Sequence, residues 1–159
     1  MKKVLAWIAP GTWPAVVAAA RSRPEADQIT LVAADDSSES LPTGILGGLM
    51  GRGHRGPHPE VASLTAAEAG ELLRQAEAAL GRPCRSAVLS GPTERVITAA
   101  AESADWFIIA RDGDRSRLGP SSLGRHARFI IDHAPCTVEL IWPDGVPDLA
   151  TIPPPDARN

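Results

Sequence analysis

Five short apolar runs alternating with four helix-patterned segments predict an α/β fold, an open, Rossmann-like five-stranded parallel sheet flanked by helices. Three observations carry that reading. The runs Val4 to Ala9 and Trp106 to Ala110 are apolar without alternation, as in strands covered on both faces. The segments between runs place apolar residues at helical spacing behind capping residues. Strict alternation of strand and helix calls for right-handed βαβ crossovers between parallel strands.

In order along the chain, Val4 to Ala9 (VLAWIA) reads as a central strand, ended by Pro10-Gly11-Thr12. Thr12 or Trp13 caps the helix that Pro14 opens, Val16, Val17, Ala19 and Ala20 form its apolar stripe, and Pro24 stops it. Ile29 to Ala34 is the second strand. From Ser37 to Pro59 periodicity is lost and six glycines fall between Gly44 and Gly56, so residues 37–59 read as a long flexible loop. His54 and His58 lie in it with Gly56 and Pro57 between them, which excludes a helical metal pair and leaves surface histidines.

Ser63 to Leu80 is a helix with a capping box at Thr65 and Glu68, and Gly81 as its C-terminal cap. Cys84 to Leu89 is the third strand. Ser90-Gly91-Pro92 then turns into a helix with Val96, Ile97, Ala100 and Ala101 inward. Trp106 to Ala110, a glycine- and arginine-rich loop, the helix Gly124 to His133 and the run Val138 to Trp142 complete the domain, 1–143. Glu139 interrupts the last run, as suits a partly covered edge strand. Residues 144–159 are proline-rich and expected to be unstructured.

Composition narrows the function. The chain has 159 residues, 43% of them hydrophobic and 22% charged, enough for one domain with a core of its own. No apolar run approaches the roughly 20 residues that cross a bilayer. Met1-Lys2-Lys3 begins like a signal peptide, but Pro10, Gly11 and Pro14 interrupt any apolar region, so a cytoplasmic protein without a membrane partner is expected. Cys84 and Cys136 are too few for a disulfide framework and lack metal spacing; no metal is expected. A net charge of −3 argues against nucleic acid as a partner. Residues 111–128 hold five Arg and two Asp, +3, which leaves −6 for the rest, and a basic loop on an acidic protein suits a small anion.

That loop has parts that hold a phosphate. Gly124 lets an oxyanion approach the backbone, and the amides of Arg125, His126 and Ala127 open a helix toward it. Arg125 offers a charge-assisted hydrogen bond, and Arg111, Arg115 and Arg117 add positive charge. In a doubly wound sheet the loop at Gly11-Thr12 faces the loop at Gly113 across the switch point. Pairing of Arg111 with Asp112 and of Asp114 with Arg115 is the alternative, and it leaves a solvated loop that binds nothing. No carboxylate pair or activated nucleophile is placed for catalysis. His133 reads as a structural residue at a helix end, Trp106 and Trp142 as packing residues.

Two local motifs resemble a known family. Ser90-Gly91-Pro92, a helix to Glu102, and Ala104-Asp105-Trp106-Phe107-Ile108-Ile109 are similar to the G-x-P…A-D-x-I-V segment of the universal stress proteins. His133-Ala134-Pro135-Cys136-Thr137-Val138 resembles that family's H-A-P-C-P-V signature, with Thr137 in place of proline. The resemblance implies strand order 3-2-1-4-5, a homodimer through the last strand Val138 to Trp142, and a nucleotide-binding, regulatory role in stress response. Catalysis, if any, would be slow ATP hydrolysis.

The family's ATP-binding members carry G-x-x-G, nine residues, then G-[S/T]. Here Ala110-Arg111-Asp112-Gly113 stands for the first part, ten residues precede Gly124, and Arg125 takes the Ser/Thr place. Ala9 or Pro10 falls where those members have an Asp. The ligand residues so implied are Ala9, Pro10, Gly11, Thr12, Ala33, Ala110, Arg111, Gly113, Gly124, Arg125 and His126, with ATP as cofactor. A dimeric interaction module with an emptied pocket, acting on a protein partner, is the second reading.

Overall fold

A computed structural model describes residues 1–37 and 63–155. The expected glycine-rich loop, with His54 and His58, lies outside the described residues except for Ser37. The elements are β1 (Lys3–Trp7), α1 (Trp13–Arg21), β2 (Gln28–Asp35), α2 (Ala66–Leu80), β3 (Arg85–Ser90), α3 (Thr93–Ala100), β4 (Trp106–Ala110), α4 (Arg125–His133) and β5 (Thr137–Ile141). The five strands form one parallel sheet in the order β3-β2-β1-β4-β5.

The period-2 geometry of the strands builds two cores from one sheet. Val4, Ala6 and Ile8 point, with Ile29, Leu31 and Ile108, to the layer of α1 and α2. Leu5, Trp7, Val32, Phe107 and Ile109 point the other way, to Ile97 of α3 and Ala127 and Ile130 of α4. A central strand must therefore be apolar at every position, which is why VLAWIA shows no alternation.

Local signals set the helix ends. Thr65 accepts from the Glu68 amide while Glu68 accepts from the Thr65 amide, a closed capping box, and Gly81 ends α2 at φ 64°. At α1, Thr12 is the N-cap residue but its side chain makes no capping bond. Gly11 instead turns the chain at φ 78°, and the Thr12 and Trp13 amides donate to the Ala9 carbonyl.

The C-terminal segment differs from expectation. Residues 144–155 hold a short 3-10 turn, Leu149–Thr151, capped by Asp148, and they dock on the loop after β4. The Leu118 amide donates to Thr151 Oγ1 at 3.0 Å, and Asp144 pairs with Arg115 at 2.7 Å. Proline content suggested a free tail; a hydroxyl and a carboxylate facing that loop give part of it a tertiary anchor.

Candidate functional site

The C-terminal ends of β1, β2 and β4 meet at one end of the sheet, where the order reverses direction on either side of β1. A shallow, open recess lies at the β1 and β2 side of this end, lined by Trp7, Ile8, Ala9, Pro10, Ala34, Asp36, Leu64 and Thr93. Its floor is apolar. Its acid, Asp36, accepts from the Leu64 amide at 3.0 Å and from Thr93 Oγ1 at 3.1 Å, so it ties the approach to α2 to the start of α3. Of the expected ligand residues, Ala9 and Pro10 line this recess. Ala33 faces the α1–α2 core, fully buried, and its neighbour Ala34 lines the recess instead.

The loop after β4 closes on itself. The Gly113 amide donates to the Ser122 carbonyl at 2.9 Å and the Asp114 amide to the Ser121 carbonyl at 2.8 Å. Gly113 permits this approach, because a Cβ there would sit 2.3 Å from the Ser121 oxygen. The closed loop carries the Asp112 carboxylate onto the start of α4, where Oδ1 accepts from the Gly124 amide at 2.7 Å. A Cβ on Gly124 would stand 2.8 Å from that same oxygen. Both glycines thus serve an internal contact in this conformation, and an anion already rests on the helix end: the protein's own.

Burial raises the Asp112 carboxyl above the usual range, against the amides of Gly124, Asp112 and Ala127 and the charge of His126, which favour the ionised form. Its Oδ2 is buried and lacks a hydrogen-bond partner among the described residues. A raised pKa means that the native state holds the proton more tightly than the unfolded chain. Stability from this group is therefore greatest at low pH and falls as pH rises from the unfolded value through the native one.

The five arginines of the loop are each engaged, though not with the sequence neighbours considered as alternatives. Arg111 Nη1 donates to the buried Ser122 hydroxyl at 2.6 Å, and its guanidinium lies 4.4 Å from the Trp142 ring centre. Arg115 meets Asp144, and Arg117 meets Asp114 at 3.3 Å. Arg128 donates to the carbonyls of Leu123 and Pro120. Arg125 lies 3.8 Å from Glu94, which also takes His126 Nδ1 at 2.8 Å. The arginines that made the loop basic in the sequence largely hold its shape.

The remaining singled-out residues make contacts within the chain. His133 Nδ1 lies 2.7 Å from the Phe129 carbonyl, so it carries the proton of that bond, and its ring stacks on Phe129 at 4.1 Å. Trp106 donates to Glu139 at 2.7 Å across β4 and β5, and the Arg23 guanidinium lies 4.5 Å from its ring centre. Glu139, which looked like a break in the last strand, is a cross-strand partner. Among the described residues no cluster of three metal-ligating side chains occurs, and no helix is long and apolar enough to cross a membrane.

An open, doubly wound parallel sheet whose order reverses at β1, with a recess at the ends of β1 and β2, defines the broad class. The particular fold is that of the universal stress proteins. The universal stress protein UspA from Lactobacillus plantarum is 18% identical over 89% of this chain and 99% of its own, with a TM-score of 0.55. The hypothetical protein MJ0577 is 15% identical over 88% and 95%, with a TM-score of 0.56. A universal stress protein solved in complex with cAMP is 10% identical over 91% and 100%, with a TM-score of 0.53. No protein-family model and no curated protein sequence matches the chain.

Proposed function

We propose that this chain is a universal stress protein-type regulatory protein that binds a nucleotide at the ends of β1, β2 and β4 and acts by binding rather than catalysis. The observation that carries this reading is the recess beside the switch point, lined by apolar Trp7, Ile8 and Ala9 and by polar Asp36 and Thr93, at the strand ends where doubly wound sheets take ligands. The cAMP complex of a structural neighbour supports the ligand class. ATP, AMP and cAMP are the ligands to test, by calorimetric titration and by mass spectrometry of small molecules released from the purified protein. Measurable heat with at least one of them is expected; no heat at millimolar concentration and no released nucleotide would overturn the reading.

The second reading, an interaction module without a nucleotide, is favoured by Arg111, Arg115, Arg117 and Arg128, which are engaged within the chain; Arg125, 82% exposed, stays accessible. Both readings use a second copy. Among the described residues β5 pairs with β4 on one side and with no strand on the other. Val146, Leu149 and Ile152, all exposed, follow close behind it in the chain. An open edge with apolar neighbours favours strand-to-strand pairing. Sedimentation equilibrium is expected to give a dimer mass, and a monomer mass independent of concentration would remove the homodimer.

A further inference from the structure

We propose that Asp112 is a built-in occupant of the anion seat on α4, and that it restricts the crevice to ligands that place no phosphate on that helix, nucleosides foremost. This deepens the nucleotide reading above, since it names the part of such a ligand that the site accepts.

The start of a helix is an anion seat because its first amides have no partner within the helix and its dipole favours negative charge. In α4 the first of these, the Gly124 amide, is taken by Asp112 Oδ1 at 2.7 Å. Gly124 has no side chain to hold a ligand off, and the space its Cβ would fill is closed by both carboxylate oxygens, at 2.8 and 3.2 Å. An incoming phosphate meets an occupied amide and a negative charge at the same point.

The loop holds the carboxylate there. Gly113 and Asp114 are bonded to Ser122 and Ser121, and Arg111, one residue before Asp112, is fixed by Ser122 and Trp142. Departure of Asp112 is a local event all the same. Among the described residues its side chain takes a hydrogen bond from the Gly124 amide on Oδ1, while Oδ2 is buried with no partner, a costly state for a carboxylate. Removing the side chain thus empties the seat without dismantling the loop.

The test compares wild type with Asp112→Ser, titrated with adenosine, ATP and inorganic tripolyphosphate, with amide NMR shifts of Gly124 and Arg125 as a local reporter. In the wild type, ATP is expected to bind no tighter than adenosine, and tripolyphosphate is expected not to shift the two amides. In Asp112→Ser, ATP and tripolyphosphate are expected to gain on the order of tenfold, with shifts at both amides and adenosine affinity unchanged, since a like charge is removed and a helix end opened. Asp112→Asn, which keeps the Gly124 bond and loses the charge, serves if the serine variant does not fold, and is expected to gain in the same direction.

Folded variants that bind tripolyphosphate no better than wild type would overturn the inference, whatever adenosine does. So would wild-type binding of ATP well above adenosine. Failure of all three proteins to bind adenosine or ATP would instead remove the nucleotide reading, and the tripolyphosphate arm would still decide the role of Asp112. A carboxylate that merely caps α4 would change stability on substitution without any gain in polyphosphate binding.

Discussion

Phe107→Ala is expected to lower unfolding stability by about 3–5 kcal/mol, the range for deleting a buried phenylalanine. Phe107, the second residue of β4, is fully buried and faces the α3–α4 layer with Leu5, Ile97, Ala127 and Ile130. Its strand partners are Leu5 on β1 and Val138 on β5, so the ring packs beside both neighbouring strands. Two neighbouring strands and two helices hold the walls apart, and the cavity cannot collapse without moving all of them. Against a typical total of about 5–15 kcal/mol, such a loss brings the protein close to unfolding at room temperature. Urea denaturation followed by far-UV circular dichroism measures it. A loss under about 1 kcal/mol at an unchanged slope would mean that the layer packs differently.

Gly113→Ala is expected to cost about 1–3 kcal/mol, as overpacking does when the neighbours cannot yield. The added Cβ would lie 2.3 Å from the Ser121 oxygen, 2.9 Å from the Ser122 carbonyl carbon and 3.0 Å from that of Leu123. All three are backbone atoms, so no rotamer change relieves the clash. The loop must open, and the bonds from Gly113 to Ser122 and from Asp114 to Ser121 are strained or lost. The same urea titration applies, with Gly145→Ala as control because a Cβ there meets nothing within 4 Å. Equal stability of the two alanine variants would show that the loop is not closed as described.

These two sites differ in how far the sequence reveals them. Phe107 is legible: a five-residue apolar run without polar alternation has to be buried on both faces, and its inner positions, Phe107 among them, are core. Gly113 is legible only as a glycine in a loop. Its resemblance to a phosphate-binding pattern pointed to an outside ligand, whereas its neighbours are the backbone of residues 121–123. Asp112 gave no signal of its own, because a carboxylate beside an arginine in a charged loop looks like a solvated pair. The docking of residues 144–155 on the same loop was hidden by their proline content.

The sequence by itself determined the element order, the parallel sheet and the burial of its central strands, because periodicity and capping act over a few residues and are written locally. Its local motifs also pointed to the universal stress protein fold, which the strand order β3-β2-β1-β4-β5 bears out. Only the tertiary structure decided what rests on the start of α4. That outcome depends on a contact between residues 12 positions apart, set by how the loop closes. Two glycines permit either a bound phosphate or an internal carboxylate, and their identities alone do not choose between them. The approach of Asp112 to Gly124 makes that choice.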